Sequence, residues 1–267
     1  IISYFIYIYP FEILNELLFN EKTNRRSSLL FSIFVSILVI FYFRSKNTFL
    51  LLKIFVYEGM GIGFISFCIV NLALIINFFL MLDNYIVGII SLLFIFLISL
   101  LGYLYGNIVF IKEIKIFSTK IHKQYKFIFI SDIHLGTNSI NHLQRIINKI
   151  EFLKYDFILI GGDLLDSSSF DLSNLSILKQ IKKPIYFVTG NHEYYIKNYK
   201  YKLNQLSQFG IITLNNQNKI INEINLVGLD DRQTTNNQYK NYLNLKNLDK
   251  FNLLLVHKPS VWELTKD

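Results

Sequence analysis

Cysteine is almost missing from this 267-residue chain: Cys68 is the only one, and it lies inside an apolar run. A single thiol closes no intrachain disulfide, and no thiol-rich metal site can be built from it. Charge is scarce as well. Only 17% of residues are charged against 52% hydrophobic and 16% aromatic, which is too apolar for an average soluble domain. No cleavable signal pattern opens the chain, which starts at Ile1 already inside an apolar stretch, so the N-terminus is expected to be incomplete. No internal repeat is visible.

The charge that is present is unevenly placed. Of the 27 Lys/Arg and 19 Asp/Glu, only six and five precede Phe110, so most of the +8 excess falls in the second part, which is expected to be soluble. Its lysines stand singly among Asn and Ile, as on a solvated face. Nothing forms a dense basic stripe with interleaved aromatics, so nucleic acid is not an expected partner.

Residues 60–82 carry no charge over 23 positions, and residues 86–111 none over 26. At about 1.5 Å per residue each is long enough to cross a hydrocarbon layer of about 30 Å. Residues 27–43 form a third, shorter run, and residues 1–9, followed by Pro10 and Glu12, read as the cut end of an earlier span. The expected first domain is therefore residues 1–111, a multi-pass helical region in the lipid bilayer. Asn71 and Asn77 are too few polar groups for a transport pathway. Lys22, Arg25 and Arg26 flank one side of the spans, whereas Arg44, Lys46, Lys53, Lys112, Lys115, Lys120, Lys123 and Lys126 flank the other. That asymmetry predicts a cytoplasmic soluble part.

From Ile111 the pattern changes. Short apolar runs at 126–131, 156–161, 185–190 and 252–257 suit strands buried on both faces. Between them Ile140, Leu143, Ile146, Ile147 and Ile150, then Leu172, Leu175, Leu178 and Ile181, then Tyr199, Leu203 and Leu206 have helical spacing. Alternation of this kind predicts a layered α/β fold. Runs at 211–214, 219–221 and 225–229, joined by Asn-rich turns, read as further short strands. They favour a mixed sheet or two stacked sheets over one purely parallel sheet.

Each apolar run ends in polar residues able to bind metal: Asp132 and His134 in Ser-Asp-Ile-His, Asp163 in Gly-Gly-Asp, Asn191 and His192 in Gly-Asn-His-Glu, and His257 at the last strand. In open α/β sheets ligand sites gather beyond the carboxyl ends of strands, so all six are expected at one edge. Asp oxygens, imidazole nitrogens and an amide carbonyl suit Mn²⁺, Fe²⁺ or Zn²⁺. A carboxylate such as Asp163 can bridge two ions about 3.5–4 Å apart, a pair able to clamp a phosphate and activate water. Glu193 reads as a group that orients its neighbours, and Asp230 and Asp231 as a strand-end turn or a support for the site. His122 and His142 have no partner pattern and read as surface residues.

Taken in order, Asp-x-His, Gly-Asp, Gly-Asn-His-Glu and a later strand-ending His resemble the calcineurin-like metallophosphoesterases over about residues 115–267. The apolar region ahead of them resembles a membrane-bound bacterial branch of that family. The resemblance implies a four-layer α/β/β/α sandwich across residues 112–267 and two divalent metal ions. Asp132 and His134 would hold the first ion, Asp163 would bridge, and Asn191 and His257 would hold the second. His192 would contact the phosphate and protonate the leaving oxygen, with a bridging hydroxide as nucleophile. The implied substrate is a phosphate mono- or diester, lipid-linked if the short connection after the last span keeps the site near the bilayer. The family's closing Gly-His-x-His element does not occur before Asp267. The domain is therefore expected to be C-terminally incomplete and residues 1–267 to bind metal poorly. A membrane protein whose phosphoesterase-like domain only binds a ligand or partner is the alternative.

Overall fold

The computed structural model describes residues 1–44 and 50–266. Lys46, one of the charges in the orientation count, lies outside the described residues. The chain divides between Ile108 and Val109 into two compact units.

The first unit is helical: α1 Tyr9–Phe19, α2 Arg25–Arg44, α3 Leu50–Leu80 and α4 Asn84–Gly106, with a π-helical turn at Tyr4–Ile8. Pro10 sits in the first turn of α1, where its missing N–H leaves no bond unmade. α1 stops at Asn20, whose left-handed conformation (φ 54°) suits an amide side chain. Asp83 caps α4 by accepting the Tyr85 and Ile86 amides at 2.9 and 3.3 Å. Among the described residues three stretches are long and apolar enough to cross a membrane: Arg25–Tyr42, Leu51–Leu80 and Asn84–Gly106. α3 begins ahead of the charge-free run because Lys53 and Glu58 interrupt its hydropathy without breaking its helix. α4 ends at Gly106, short of residue 111. Their large apolar side chains are mostly exposed, Phe78 and Phe79 among them, as suits helices facing lipid.

The second unit carries two sheets. β1 (Phe127–Ile130), β2 (Phe157–Ile160), β3 (Ile185–Phe187) and β4 (Ile211–Thr213) lie side by side in that order, all parallel. β5 (Gln217–Ile221) pairs antiparallel with β6 (Ile224–Gly228), and β6 pairs parallel with β7 (Phe251–Leu255). Period-two alternation assigns each strand residue to a layer. Ile158, Ile160, Ile185 and Phe187 face outward onto α5 (Ile140–Ile150), which contributes Leu143, Ile146, Ile147 and Ile150. Phe157, Leu159, Tyr186 and Val188 face the other way and pack on Ile224, Leu226 and Leu255 of the second sheet. Val227 points to the far side, where Tyr239, Tyr242 and Leu245 of α7 (Thr235–Leu245) cover it. Helix, sheet, sheet, helix is the resulting order. Each fully buried Leu, Ile or Phe contributes about 1.5–3 kcal/mol toward holding these layers together.

Two details differ from the sequence expectation for physical reasons. Residues 172–180 form a 3₁₀ rather than an α-helix. Their apolar positions 172, 175, 178 and 181 recur every three residues, the period of the 3₁₀ turn. The outer face of the second sheet also buries polar groups: Asn225 is fully buried. It accepts from Asn218 and donates to Asn252 and the Leu245 carbonyl at 2.7–2.9 Å, so the Asn bias supplies a satisfied ladder across three strands.

Candidate metal centre

Because β1, β2 and β3 are parallel, their carboxyl ends share one edge, and β7, parallel to β6, delivers His257 to the same place. Asp132 and His134 follow β1, Asp163 follows β2, Asn191 and His192 follow β3, and His257 lies two residues beyond β7. All six are brought together. The β1–β2 pairing continues past the strands through Asp132 N to Gly162 O (3.2 Å) and His134 N to Asp163 O (2.9 Å), which registers the two loops against each other.

Three of these residues have left-handed backbones: Asp132 (φ 58°), His134 (φ 51°) and Asp163 (φ 53°). Such conformations cost about 1–3 kcal/mol each and collect where a site over-determines the backbone. Glycine makes the close approach feasible. A Cβ on Gly190 would stand 2.1 Å from Asp163 Oδ1, and one on Gly162, itself at φ +97°, would stand 2.6 Å from His257 Nδ1.

Asp163 is the hub. Its Oδ1 accepts the His192 amide at 2.9 Å. Its Oδ2 faces three imidazole Nε2 atoms at distances too long for hydrogen bonds: His257 at 3.4 Å, His134 at 3.7 Å and His192 at 3.9 Å. His257 Nδ1 lies 2.9 Å from the Gly161 carbonyl. A carbonyl only accepts, so Nδ1 carries a proton there. Nε2 meets Asn191 Oδ1 at 3.2 Å and Asp163 Oδ2 at 3.4 Å, and in the neutral ring its lone pair faces both oxygens, an arrangement that a bound cation would complete. His134 repeats the pattern, with Nε2 3.7 Å from Asp132 Oδ1 and Nδ1 3.5 Å from Asp166 Oδ2. Among the described residues two groups have ligand atoms within 4.8 Å of one another, Asp132 with Asp163 and His257, and His134 with Asp166 and His192. The donor set fits hard or borderline divalent ions.

Asp166 is the site residue that sequence reasoning missed. It stands three residues after Asp163, and an Asp in a turn carries no distinguishing signal of its own. Its side chain is buried, its Oδ1 accepts the Thr137 amide at 2.8 Å, and its Oδ2 faces His134.

Glu193 orients its neighbours, as its position suggested, and does so through the backbone. Its buried carboxylate accepts the amides of Asp163 (3.0 Å), Gly190 (2.8 Å) and Leu165 (2.8 Å), tying the β2 loop to the β3 loop. Burial pushes its pKa above the usual carboxylate range, while the three N–H donors pull the other way. Glu193→Gln replaces one acceptor oxygen by an amide donor facing another N–H. A loss of about 1–3 kcal/mol is expected, read as a lower unfolding midpoint in thermal denaturation. An unchanged midpoint would show these bonds to be dispensable.

Asp230 and Asp231 both reach the site's surroundings. Asp230 accepts a short hydrogen bond from the Tyr194 hydroxyl, which also meets Thr189 Oγ1 at 2.6 Å. Burial, then this bond, raises the Tyr194 pKa, so the phenol stays protonated. Asp231 pairs at 2.7 Å with Lys258, the residue after His257. His122 is exposed. His142 is half-buried beside Arg145 (3.3 Å); burial first, then that guanidinium, lowers its pKa, and it joins neither metal-capable group.

A parallel sheet stacked on a mixed one, with carboxylate, amide and imidazole acceptors converging at strand ends, defines a metallophosphoesterase-type α/β/β/α sandwich. Residues 125–266 match the family model of the calcineurin-like phosphoesterases, and the chain belongs to that family. It is 30% identical over 179 residues to an uncharacterized metallophosphoesterase of Helicobacter pylori, covering 61% of this chain and 48% of that protein. It is 32% identical over 127 residues to an uncharacterized metallophosphoesterase of Campylobacter jejuni, covering 45% and 33%. It is 32% identical over 152 residues to the Danio rerio transmembrane protein with metallophosphoesterase domain, covering 50% and 35%. The chain thus spans about half or less of the length of these curated relatives.

Proposed function

We propose that this protein is a membrane-anchored, metal-dependent hydrolase of phosphate mono- or diesters. The observation that carries the reading is the single carboxylate oxygen of Asp163 facing three imidazole nitrogens at 3.4–3.9 Å. In this reading Asp132 and His134 would hold one divalent ion, Asn191 and His257 would hold a second, and Asp163 would contribute to both. Two ions held this way would supply Lewis acidity toward a phosphoryl oxygen and a water of lowered pKa. The protein's own part is positional. The Gly161 carbonyl sets the His257 tautomer, Glu193 locks the β2 and β3 loops, and Asp166 holds the far side of the His134 ring. His192 stands at the open side of the site and is assigned the proton delivered to the leaving oxygen.

The Lys/Arg asymmetry around a multi-pass region of residues 1–111 supports a cytoplasmic side for the soluble domain, residues 112–267. The short connection between Gly106 and Phe127 makes lipid-linked phosphates one candidate substrate class.

Hydrolysis of bis-p-nitrophenyl phosphate by the full-length protein tests the reading. Turnover is expected with Mn²⁺, is expected to vanish on chelation, and should return when Mn²⁺ is restored. Hydrolysis indifferent to chelation would overturn it. Metal binding without hydrolysis of any phosphoester would favour the ligand-binding alternative.

A further inference from the structure

The four parallel strands have a second common edge, where they begin, opposite the metal centre. Each of the first three strands is preceded there by lysine: Lys126 before β1, Lys154 before β2, and Lys182 and Lys183 before β3. These four line an open cleft of about 630 Å³ whose floor includes Ile147, Ile150 and Ile181. All four are exposed, and none makes an ion pair among the described residues. Glu151 and Asp156 are the only acids in the lining, so the cleft is net positive. Beside it, the turn after α5 exposes Phe152 to 86%. The lead-in to β1 exposes Ile114 (71%) and Phe117 (88%), between Lys112, Lys115 and Lys120. Bare aromatic side chains flanked by exposed ammonium groups are what an anionic lipid surface accommodates: the rings enter the headgroup boundary while the lysines meet phosphates. The chain supplies a reason for lipid to be the occupant. The last candidate span ends at Gly106, and the apolar–basic segment begins within a few residues of it.

We propose that this strand-start edge docks on the anionic surface of the bilayer, with Phe152 inserted and Lys126, Lys154, Lys182 and Lys183 on the headgroup phosphates. The proposal rests on the membrane-anchored reading and not on hydrolysis. Docked this way, the metal centre opens away from the bilayer. Water-borne phosphoesters then reach it freely, whereas a lipid-linked substrate needs a headgroup long enough to pass around the domain.

The test uses the full-length protein in nanodiscs, with Cys68→Ser and a spin label at Phe152→Cys. A label at Ser169→Cys, in the exposed loop beyond β2, is the control. In discs containing phosphatidylglycerol, the label at 152 is expected to be shielded from a water-soluble nickel chelate and open to oxygen, with the label at 169 open to the chelate. Each of Lys154→Gln, Lys182→Gln and Lys183→Gln should lower the docked-to-undocked ratio roughly fivefold. A label at 152 as open to the chelate as the one at 169 would overturn the proposal. So would equal shielding in pure phosphatidylcholine discs, because the lysines would then have no part in it. Neither readout depends on turnover, so a failed hydrolysis assay and a failed docking assay remain distinct results.

Discussion

Asp163→Ala is expected to abolish metal binding and bring phosphoester hydrolysis down to the uncatalysed background. Asp163 is 3% exposed, and one of its oxygens faces His134, His192 and His257 together. No neighbouring side chain stands where that oxygen stands, and its loss leaves the three imidazoles without a common anion. The other oxygen accepts the His192 amide, so the substitution also loosens the β3 loop. Asp163→Asn keeps the shape and one acceptor, and controls for misfolding: it is expected to unfold near the wild-type midpoint while still losing metal. Metal analysis and turnover of the full-length protein check both variants. Retained turnover in Asp163→Ala would end the assignment of Asp163 as the shared ligand.

His192→Ala is expected to behave differently, keeping the metals while turnover falls by roughly 10²–10⁴-fold. Exposure separates the two histidines that flank Asp163. The His257 side chain is 10% exposed and tethered through Nδ1 to a backbone carbonyl, as suits a fixed ligand. The His192 side chain is 39% exposed, and its Nε2 is the farthest of the three from Asp163. Its ring is held edge-on by His134 at 4.6 Å and by Tyr195 at 5.6 Å, which restricts rotation without occupying Nε2. A group so placed is free to meet substrate. Metal lost from the His192 variant would make His192 a ligand instead of a proton donor.

The motif residues were legible because strand-end chemistry leaves a local trace: an apolar run, then glycine, then a ligand type. Asp163 and Asn191 each stand in such a context, and Asp132 differs only in having Ser131 where they have glycine. Asp166 left none. Its relation to His134 depends on how the loops after β1 and β2 cross, and those loops are 29 residues apart in sequence at the Thr137–Asp166 contact. The carbonyl of Gly161 is invisible for the same reason, since the residue that reads it, His257, lies 96 positions away. Residues 172–181 show the opposite case. Their period of three was present in the sequence, and the 3₁₀ turn it suits brings Leu175 and Leu178 into the core.

The sequence by itself determined the apolar helices, the alternation of strand and helix after them, and which side chains stand at strand ends. These are short-range matters of hydropathy and period, decided within a window of residues. Only the tertiary structure decided that β7 brings His257 against Gly161, that three imidazoles share one oxygen of Asp163, and that the lysines before β1, β2 and β3 line one cleft. Such distances depend on strand order and register, which are set by packing summed over the two stacked sheets and are carried by no single segment.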